Sequence, residues 1–545
     1  HTLIKNHILK NYYAFELMMA PYAIGHLKMG FIFEELGYKM ADDERFKLYL
    51  TNTLEMEEIE QIAIPGLSSL SEESHLAGKV KKEQPVLVIL GNPPYSGISA
   101  NINEWTERLL KKDIDGTQSY YKVDGQPLGE KKLWLQDDYV KFLRFAQWKI
   151  QKSGYGIVGM ITNHSYLDNP TFRGMRQSLM KTFDEIYILD LHGNSLKKER
   201  TPEGGKDENV FDIRQGVAIA LFIKNKKAKE PNVFHLDKFG LREEKYKWLD
   251  QNEFDTKNYK ELKPASPWYF FIPRNTLYIQ QYLEWKRIDK IFPVNVSGIV
   301  TARDNLAIDF EKHSLKNKIM MFRNKDLPDE IVREALKLKD NYQWKLTEQR
   351  KLFQKVNDWG KHFTQILYRP FDVRYIYYQD NIVFRPRHEV MRHMLEENIG
   401  IVISRQAQNG FKHVFISEKM IEFNLTGTAG KYGSGYLFPL YLYPEIEKNN
   451  PKSGGTMMML FEPQEKYGKK PNIAVAIFEK LQSAYGQKPT PEQILYYIYG
   501  VFYSNIYRQT YAEFLKIDFP RVPFTTDYDL FKKMGELGKG LADLH

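Results

Sequence analysis

The chain has 545 residues and no cysteine, and its 78 Lys and Arg against 69 Asp and Glu give a formal net charge of +9. The lack of cysteine excludes disulfides, zinc–thiolate centres and cysteine nucleophiles, and it suits a reducing cytoplasm. Since no stretch approaches the roughly 18 apolar residues of a membrane span, we expect no contact with a membrane. The basic balance favours a polyanionic partner.

Short aliphatic or aromatic runs alternate with amphipathic stretches in the first half of the chain, a pattern typical of βα units and a parallel sheet. Helices are predicted at 19–36 and 137–152, where apolar residues recur every three or four positions. A long polar loop joins the last two predicted strands, so we expect these two to form an antiparallel pair at a sheet edge. The predicted strands are 12–17, 46–52, 86–90, 155–162, 185–191 and 216–223.

The character of the sequence changes near residue 260, after which proline, tyrosine and arginine are scattered through the chain. A chain of this length is too long for one hydrophobic core. We therefore predict an α/β domain over 1–260 and a second, mixed α/β domain over 261–545. The second domain is expected to end in helices.

The sequence VLVILGNPPYSG at 86–97 combines the pattern of a buried strand with an abrupt stop. Ligands of open α/β sheets bind outside the carboxyl ends of the strands, so the residues after this strand are expected to face a pocket. The side-chain oxygen of Asn92 and the carbonyl of Pro93 could each accept one N–H of an amino group, which would expose the lone pair of that nitrogen. Pro94 adds rigidity and has no N–H, and Tyr95 offers a stacking face for a base rotated out of a duplex.

The motif GNPPYSG resembles the catalytic motif of the S-adenosylmethionine-dependent methyltransferases that modify adenine N6 in DNA. By this resemblance Asn92, Pro93, Pro94 and Tyr95 are catalytic, and Asn92 also belongs to the cofactor site. The resemblance implies a Rossmann-like methyltransferase domain that uses S-adenosylmethionine.

Three further segments resemble parts of the same family. In AFELMMAPYAIGHLK, the acidic residue that binds the cofactor ribose would be Glu16. The strand ending in TNTLE places Asn52 where many relatives carry an aspartate that binds the cofactor adenine. In ITNHSYLDNPTFRGMR, the aromatic residue that packs on the other face of the flipped base would be Phe172, with Arg176 below it.

Segments throughout the chain, among them EIYILDLHGN, LYRPFDVRYIYY and IYRQTYAEFLKIDFPRVPF, resemble the methyltransferase and target-recognition portion of Type ISP restriction-modification enzymes and their Type IIG relatives. The resemblance implies a target-recognition domain in the second half. It also implies a glycine-rich cofactor loop after the first strand of the sheet, before YYAFEL. We therefore expect that first strand to be missing from the chain.

Basic and acidic side chains among the aromatic residues of the second half are candidates for contacts to double-stranded DNA. Arginine reads guanine with two hydrogen bonds and also anchors phosphates. A purely structural role is the alternative, for example in a pair between Asp372 and Arg374. The DNA-binding candidates are Arg303, Asp304, Arg369, Arg374, Arg385, Arg387 and Arg405.

Two motifs have the composition of functional sites without the required spacing. In HEVMRH, His388 and His393 are five residues apart and do not share a helix face, so we predict no metal site there or elsewhere. GTAGKYGSG at 427–435 lacks the Lys-Ser/Thr of a phosphate loop. Without such motifs, nuclease and translocase domains are expected only in other parts of a longer parent polypeptide.

The leading interpretation is a prokaryotic, cytoplasmic DNA adenine-N6 methyltransferase with its own target-recognition domain. The same acceptors would also serve cytosine N4, a base in RNA or the amide of a protein glutamine. A non-catalytic DNA-specificity module is the alternative from a different class.

Overall fold

The computed structural model describes residues 1–56, 68–95, 97, 99–129, 133–226, 230–275, 277–341, 343–406, 410–427, 434–444 and 468–545. The chain divides into two compact units, His1–Arg274 and Asn275–His545. The first unit extends past residue 260, where the sequence placed a boundary, because a strand at Lys260–Leu262 joins its sheet and Phe271 packs in its core.

The described residues of the first unit form ten strands, in two main sheets and a hairpin. The parallel pair β1–β2 forms one sheet, and the other has the order β10-β9-β7-β8-β6-β3. The predicted strands in this unit are confirmed in position. The strands are β1 Tyr13–Glu16, β2 Lys47–Leu50, β3 Val88–Gly91, β4 Lys122–Val123, β5 Gln126–Pro127, β6 Gly156–Asn163, β7 Glu185–Asp190, β8 Val217–Lys224, β9 Asn232–Asp237 and β10 Lys260–Leu262.

The larger sheet is mixed. Strand β3 runs parallel to β6, β8 runs antiparallel to both β6 and β7, and β9 runs parallel to β7. The antiparallel pairing of β7 and β8 is thus confirmed, but its predicted place at a sheet edge is wrong. On that side of the described sheet, β9 follows β7 and β10 is the edge strand. The sequence pattern did not reveal these two strands.

Seven α-helices lie within the described ranges of the first unit. Helix α5 buries an apolar stripe of Tyr139, Leu143, Ala146 and Ile150 against the large sheet and ends at Gly154, whose φ of +83° closes the last turn. The predicted helices at 19–36 and 137–152 are confirmed. The helices are α1 Leu9–Asn11, α2 Met19–Glu35, α3 Ser68–Lys82, α4 Glu104–Lys111, α5 Asp138–Ser153, α6 Arg173–Thr182 and α7 Arg242–Gln251.

The second unit contains two four-stranded sheets, with the orders β12-β19-β16-β17 and β13-β15-β14-β18. Its mixed character agrees with the sequence. The strands are β11 Lys286–Arg287, β12 Val296–Ser297, β13 Ile308–Asp309, β14 Phe363–Arg369, β15 Asp372–Tyr377, β16 Gly400–Ser404, β17 Val414–Ser417, β18 Met420–Ile421, β19 Gly435–Pro439, β20 Tyr441–Leu442, β21 Lys470–Pro471 and β22 Arg521–Val522.

Helices close the second unit, as the sequence predicted. Helices α16 and α19 cross closely at glycines, since a Cβ on Gly538 would lie 1.9 Å from the carbonyl oxygen of Tyr496. None of the helices in the described ranges has the length and apolar character needed to cross a bilayer. The helices are α8 Ile279–Glu284, α9 Ile288–Ile291, α10 Asp304–Ala307, α11 Lys312–Arg323, α12 Asp329–Ala335, α13 Leu346–Phe353, α14 His388–Met391, α15 Val475–Tyr485, α16 Pro491–Tyr503, α17 Asn505–Thr510, α18 Ala512–Leu515 and α19 Tyr528–Leu544.

Candidate functional site

A cavity of about 700 Å³ in the first unit opens between the outer edges of β1 and β3, two strands of different sheets. Its walls come from both strands, from the turns after them and from helices α3 and α5. A cavity of this size can enclose a ligand the size of a nucleoside derivative. It is the candidate site because it gathers the residues that the sequence singled out.

Five of the predicted site residues line this one cavity: Glu16 at the end of β1, Asn52 after β2, and Asn92, Pro93 and Pro94 after β3. Glu16 and Asn52 follow the carboxyl ends of the parallel pair β1–β2, Asn92 follows the carboxyl end of β3 in the other sheet, and all three ends open into the same cavity. Asn92 is exposed and Pro93 is buried, so the turn is anchored by its first proline and presents the amide.

Glu16 and Asn52 differ in how far their polar atoms are already engaged. Glu16 accepts one hydrogen bond from the backbone N–H of Met18 at 2.8 Å, through Oε1. Asn52 donates from Nδ2 to Asn101 at 2.7 Å and accepts from the N–H of Leu54 at 3.0 Å. The amide of Asn52 therefore holds the turns around the cavity in place, while Glu16 keeps its second carboxylate oxygen for a ligand.

A polar network on the cavity wall was not found from the sequence. Asp138, the first residue of α5, accepts from the hydroxyl of Ser99 at 2.5 Å and from Nδ2 of Asn101 at 2.8 Å. Asp138 is buried, yet it lines the cavity together with Asn101. Its only sequence signal was its position at the start of a predicted helix, which is shared by many surface aspartates.

Two lysines on the cavity wall were also missed. Lys81 donates to the hydroxyl of Thr51 and to the carbonyls of Asn52 and Glu55, at 2.7–3.0 Å. Lys149 donates to two carbonyls at the end of α3, each at 2.8 Å. Burial lowers the pKa of each lysine to about 8. Both ammonium groups fasten backbone segments around the site.

Tyr95 lies beside Asn92 and does not line the cavity. Its hydroxyl lies between two acceptors, Oδ1 of Asn92 at 2.8 Å and the carbonyl of Ile161 at 3.1 Å, and can donate to one of them at a time. Burial raises the pKa of Tyr95 to about 12, so the hydroxyl stays neutral at physiological pH. Its half-buried ring packs against the core of the unit.

The structure places Phe172 in the hydrophobic core. Its side chain is 2% exposed, and its ring centroid is 6.4 Å from that of Tyr139. Arg176 is fully buried and donates to backbone carbonyls, including that of Tyr166 at 2.6 Å, and burial lowers its pKa to about 9. Because its ring is buried, Phe172 presents no face to a flipped base in this arrangement. Phe172 and Arg176 instead hold the turn before α6 in place.

In the second unit, three of the predicted DNA-binding residues, Asp304, Arg369 and Arg374, contact Tyr368. Asp304 accepts from the Tyr368 hydroxyl at 2.7 Å, and the guanidinium groups of Arg369 and Arg374 each lie 4.1 Å from its ring centroid. Arg303 precedes Asp304 in the chain. The two stacked arginines are also paired with carboxylates, Arg369 with Glu422 at 2.6 Å and Arg374 with Asp372 at 2.7 Å.

The three remaining arginines lie elsewhere in the second unit. Arg405 is exposed and pairs with Asp518 at 2.7 Å. Arg387 has a positive φ of 58° and donates to the hydroxyl of Ser297 at 3.4 Å. Arg385 is exposed, and its guanidinium lies over the ring of Phe384.

The guanidinium of Arg303 has no hydrogen-bond partner among the described residues, although its side chain is only 6% exposed. It lies 3.9 Å from the ring centroid of Trp344 and lines a pocket of about 200 Å³ with Asn305 and Lys339. Burial lowers its pKa to about 10. An unpaired buried cation beside an open pocket is the signature of a site for an anionic group.

The two histidines of HEVMRH have different surroundings. His388 is exposed and pairs with Asp380 at 2.6 Å, whereas His393 is buried and accepts from the N–H of Tyr443 at 3.0 Å. Their rings therefore serve separate partners. Most of the glycine-rich stretch at 427–435 lies outside the described residues.

Comparison with protein-family models matches residues 290–545 to the Type ISP C-terminal specificity domain. Comparison with curated proteins finds no significant match. Among solved structures, the chain is similar to the ATP-dependent Type ISP restriction-modification enzyme LlaBIII bound to DNA, to a nuclease-deletion mutant of the Type ISP enzyme LlaGI in complex with a DNA substrate mimic, and to the DrdV–DNA complex. The TM-scores are 0.68, 0.65 and 0.67, each at 23% sequence identity over 99% of this chain.

The chain spans 35%, 42% and 52% of these three proteins, respectively. At such low identity the likeness shows a shared fold. Residues 290–545 thus match the Type ISP C-terminal specificity domain, within a mixed α/β chain that has the fold of Type ISP restriction-modification enzymes.

Proposed function

We propose that this chain is the methyltransferase and target-recognition portion of a restriction-modification enzyme and that it methylates adenine N6 in double-stranded DNA. The observation that carries the proposal is the convergence of Asn92, Pro93, Glu16 and Asn52 on one cavity. These residues are far apart in the sequence, and the family resemblance assigns Asn92 and Pro93 to the amino group and Glu16 and Asn52 to the cofactor. The Type ISP match of residues 290–545 supplies the specificity half of the proposal.

The residues of the cavity fit S-adenosylmethionine. Its volume suits a nucleoside derivative, the free oxygen of Glu16 can accept from ribose hydroxyls, and buried Asp138 offers a further anionic acceptor. When bound, S-adenosylmethionine supplies an electrophilic methyl group on a sulfonium. The protein need only hold the amine in line with that group, since positioning contributes more than basicity.

Asn92 and Pro93 perform the orienting step. An exocyclic amine is a weak nucleophile because its lone pair is delocalised into the ring. The Asn92 side-chain oxygen and the Pro93 carbonyl would each accept one of its N–H groups and direct the lone pair outward. The buried ring of Pro93 keeps the turn rigid. The proton that the amine loses on methylation passes to solvent on the side of the exposed Asn92.

Methyl transfer from labelled S-adenosylmethionine to mixed-sequence duplex DNA, followed by nucleoside analysis, tests the proposal. Asn92→Ala removes one of the two acceptors, and we expect it to reduce label in N6-methyladenine by at least about 100-fold. Asn252→Ala, at an exposed position on the first unit, is the matched control and should keep full activity. Label on cytosine N4 instead, or transfer that occurs only when RNA or a glutamine-containing protein replaces the duplex as acceptor, would redirect the proposal to another substrate. Equal activity of wild type and Asn92→Ala would refute the role of the motif.

A non-catalytic specificity module remains the second candidate, and one observation favours it. The facing edges of β1 and β3 belong to separate sheets, so no described strand joins the two walls of the cavity. Strand β3 also exposes apolar side chains at this open edge; Leu90, for example, is 77% exposed. DNA binding without cofactor binding, in this chain and in any longer natural protein that contains it, would establish this second function.

The proposed role in DNA binding makes Arg303 the most informative arginine. A phosphate or base contact by a desolvated arginine is worth about 1–3 kcal/mol, so Arg303→Met should weaken duplex binding by roughly 5–150-fold. Lys361→Met removes the same charge from an exposed position and should change the affinity far less. Fluorescence anisotropy with a pool of random-sequence duplexes measures both variants, and equal losses would show that only net charge matters.

A further inference from the structure

A cluster of histidines and carboxylates lies at the carboxyl ends of β7 and β9, outside the candidate site. The two strands are parallel, and their register pairs Asp190 with Asp237. Side chains alternate between the faces of a sheet, so Asp190, Asp237 and His235, two residues before Asp237, point to the same side. Sequence analysis did not reveal this group because Asp190 is far from His235 and Asp237 along the chain.

Each carboxylate in the cluster uses one oxygen for hydrogen bonds. Oδ1 of Asp190 accepts from Nδ1 of His164 at 3.0 Å and from the backbone N–H of His192 at 2.9 Å. Oδ1 of Asp237 accepts from Nε2 of His192 at 2.8 Å. The Oδ2 atoms of both carboxylates have no hydrogen bond to any residue within the described ranges. The two histidines thus fix the carboxylates and leave two oxygens available.

His235 is the unexplained member of the cluster. Its side chain is almost fully buried, and neither of its ring nitrogens has a hydrogen-bond partner among the described residues. Its Nδ1 lies 3.6 Å from Oδ2 of Asp237, and Oδ2 of Asp190 lies 3.7 Å from Nδ1 of His192. Such separations are too long for hydrogen bonds. The His235–Asp237 separation is close to the roughly 3.4 Å between two ligand atoms of a tetrahedral zinc ion with bonds of about 2.0–2.1 Å.

We propose that Asp190, His235 and Asp237 bind one divalent transition-metal ion, for which zinc is the best fit. Their ligand atoms lie within 4.8 Å of one another, close enough to share one ion. One imidazole and two carboxylates leave a position for water, and the half-exposed side of Asp237 gives access to solvent. His164 and His192 act from outside the ligand set, as hydrogen-bond donors that orient the ligating carboxylates.

The site also has a structural consequence. The ion would tie together the ends of two strands from which long connections leave the sheet. This role is independent of methyl transfer.

Titration of the chelator-treated chain with ZnCl₂, followed by calorimetry, tests the proposal. We expect one ion per chain, with an affinity at least about tenfold weaker in His235→Phe and in Asp237→Asn, since even residues outside the ligand set can contribute 10–100-fold. His388→Phe removes a surface histidine and should leave the affinity unchanged. Co²⁺ in place of zinc should give visible absorption bands in the wild type that both cluster variants lose.

Folding of each variant is checked by circular dichroism. If His235→Phe does not fold, the zinc affinity of Asp237→Asn tests the proposal alone. This variant is expected to fold because the carboxyl of Asp237 is half-exposed and an amide has the same shape. Failure of the wild type to bind zinc, or zinc affinity that is unchanged in Asp237→Asn, would overturn the proposal. A loss of zinc in His388→Phe equal to that in the cluster variants would also overturn it, by assigning the binding to surface histidines.

Discussion

The hydroxyl of Tyr95 offers a sharp test of how the candidate active site orients its amide. Tyr95→Phe deletes the group that lies 2.8 Å from Oδ1 of Asn92 and 3.1 Å from the Ile161 carbonyl, and it keeps the ring. A neutral hydrogen bond contributes about 0.5–1.5 kcal/mol net. If that bond positions Asn92 in the transition state, methyl transfer should fall by roughly 2–12-fold, because 1.4 kcal/mol corresponds to a factor of ten.

Tyr95→Ala removes the ring as well as the hydroxyl. Stacking between an aromatic ring and a base contributes about 1–3 kcal/mol, so this variant should lose a further factor of roughly 5–150. Single-turnover transfer of labelled methyl groups to duplex DNA measures both variants against the wild type. Thermal unfolding of each variant shows whether the half-buried ring is also needed for the fold.

Three results would refute this reasoning in different ways. Wild-type rates in Tyr95→Phe would show that the hydroxyl does not position Asn92. A loss beyond about 1000-fold would exceed one hydrogen bond and assign the hydroxyl a part in the chemistry. A change in rate between pH 6 and 10 that disappears in Tyr95→Phe would contradict the burial of this group, because a pKa of about 12 keeps it neutral over that range.

Two further predictions concern buried lysines. Lys245 donates to Asp207 at 2.8 Å, and both side chains are fully buried. Lys245→Met should therefore lower the free energy of unfolding, measured in urea, by about 3–5 kcal/mol. Lys247→Met on the same helix should change it by less than about 0.5 kcal/mol, and equal losses in the two variants would contradict the prediction. Burial lowers the pKa of Lys81 from 10.5 to about 8, so the unfolded chain binds more protons between those values and stability should rise with pH there. Lys81→Met should lack this rise in urea unfolding at pH 8 and 9.5; parallel profiles would show that Lys81 is not desolvated.

Strand positions in the first unit could be predicted from the sequence because they depend on local patterns. The run at 86–90 became β3 at Val88–Gly91, and the run at 185–191 became β7 at Glu185–Asp190. Strand order could not be predicted in the same way, since pairing joins residues that are far apart. The parallel pairing of β7 with β9 moved the β7–β8 pair away from the edge, and the sequence of β9, NVFHLD, does not alternate strictly between apolar and polar residues.

The same distinction applies to the candidate site. Asn92 and Pro93 were predictable because one short motif contains both a strand end and its chemistry. Asp138 and Lys81 were not, because their roles arise from contacts with residues distant in sequence. Phe172 was selected on spacing from Arg176, but spacing does not report exposure, and the ring lies in the core.

The arginines of the second unit show why charge in a sequence overstates charge available to DNA. Arg369, Arg374 and Arg405 each have a carboxylate partner within 3 Å, so a phosphate would have to compete with an existing ion pair. Arg303 has no such partner, and its guanidinium is already desolvated against Trp344. Folding has therefore already removed this guanidinium from water, and an incoming anion displaces no protein group that is hydrogen-bonded to it. A single unpaired arginine in a pocket is thus a stronger indication of a nucleic-acid contact than the net charge of +9.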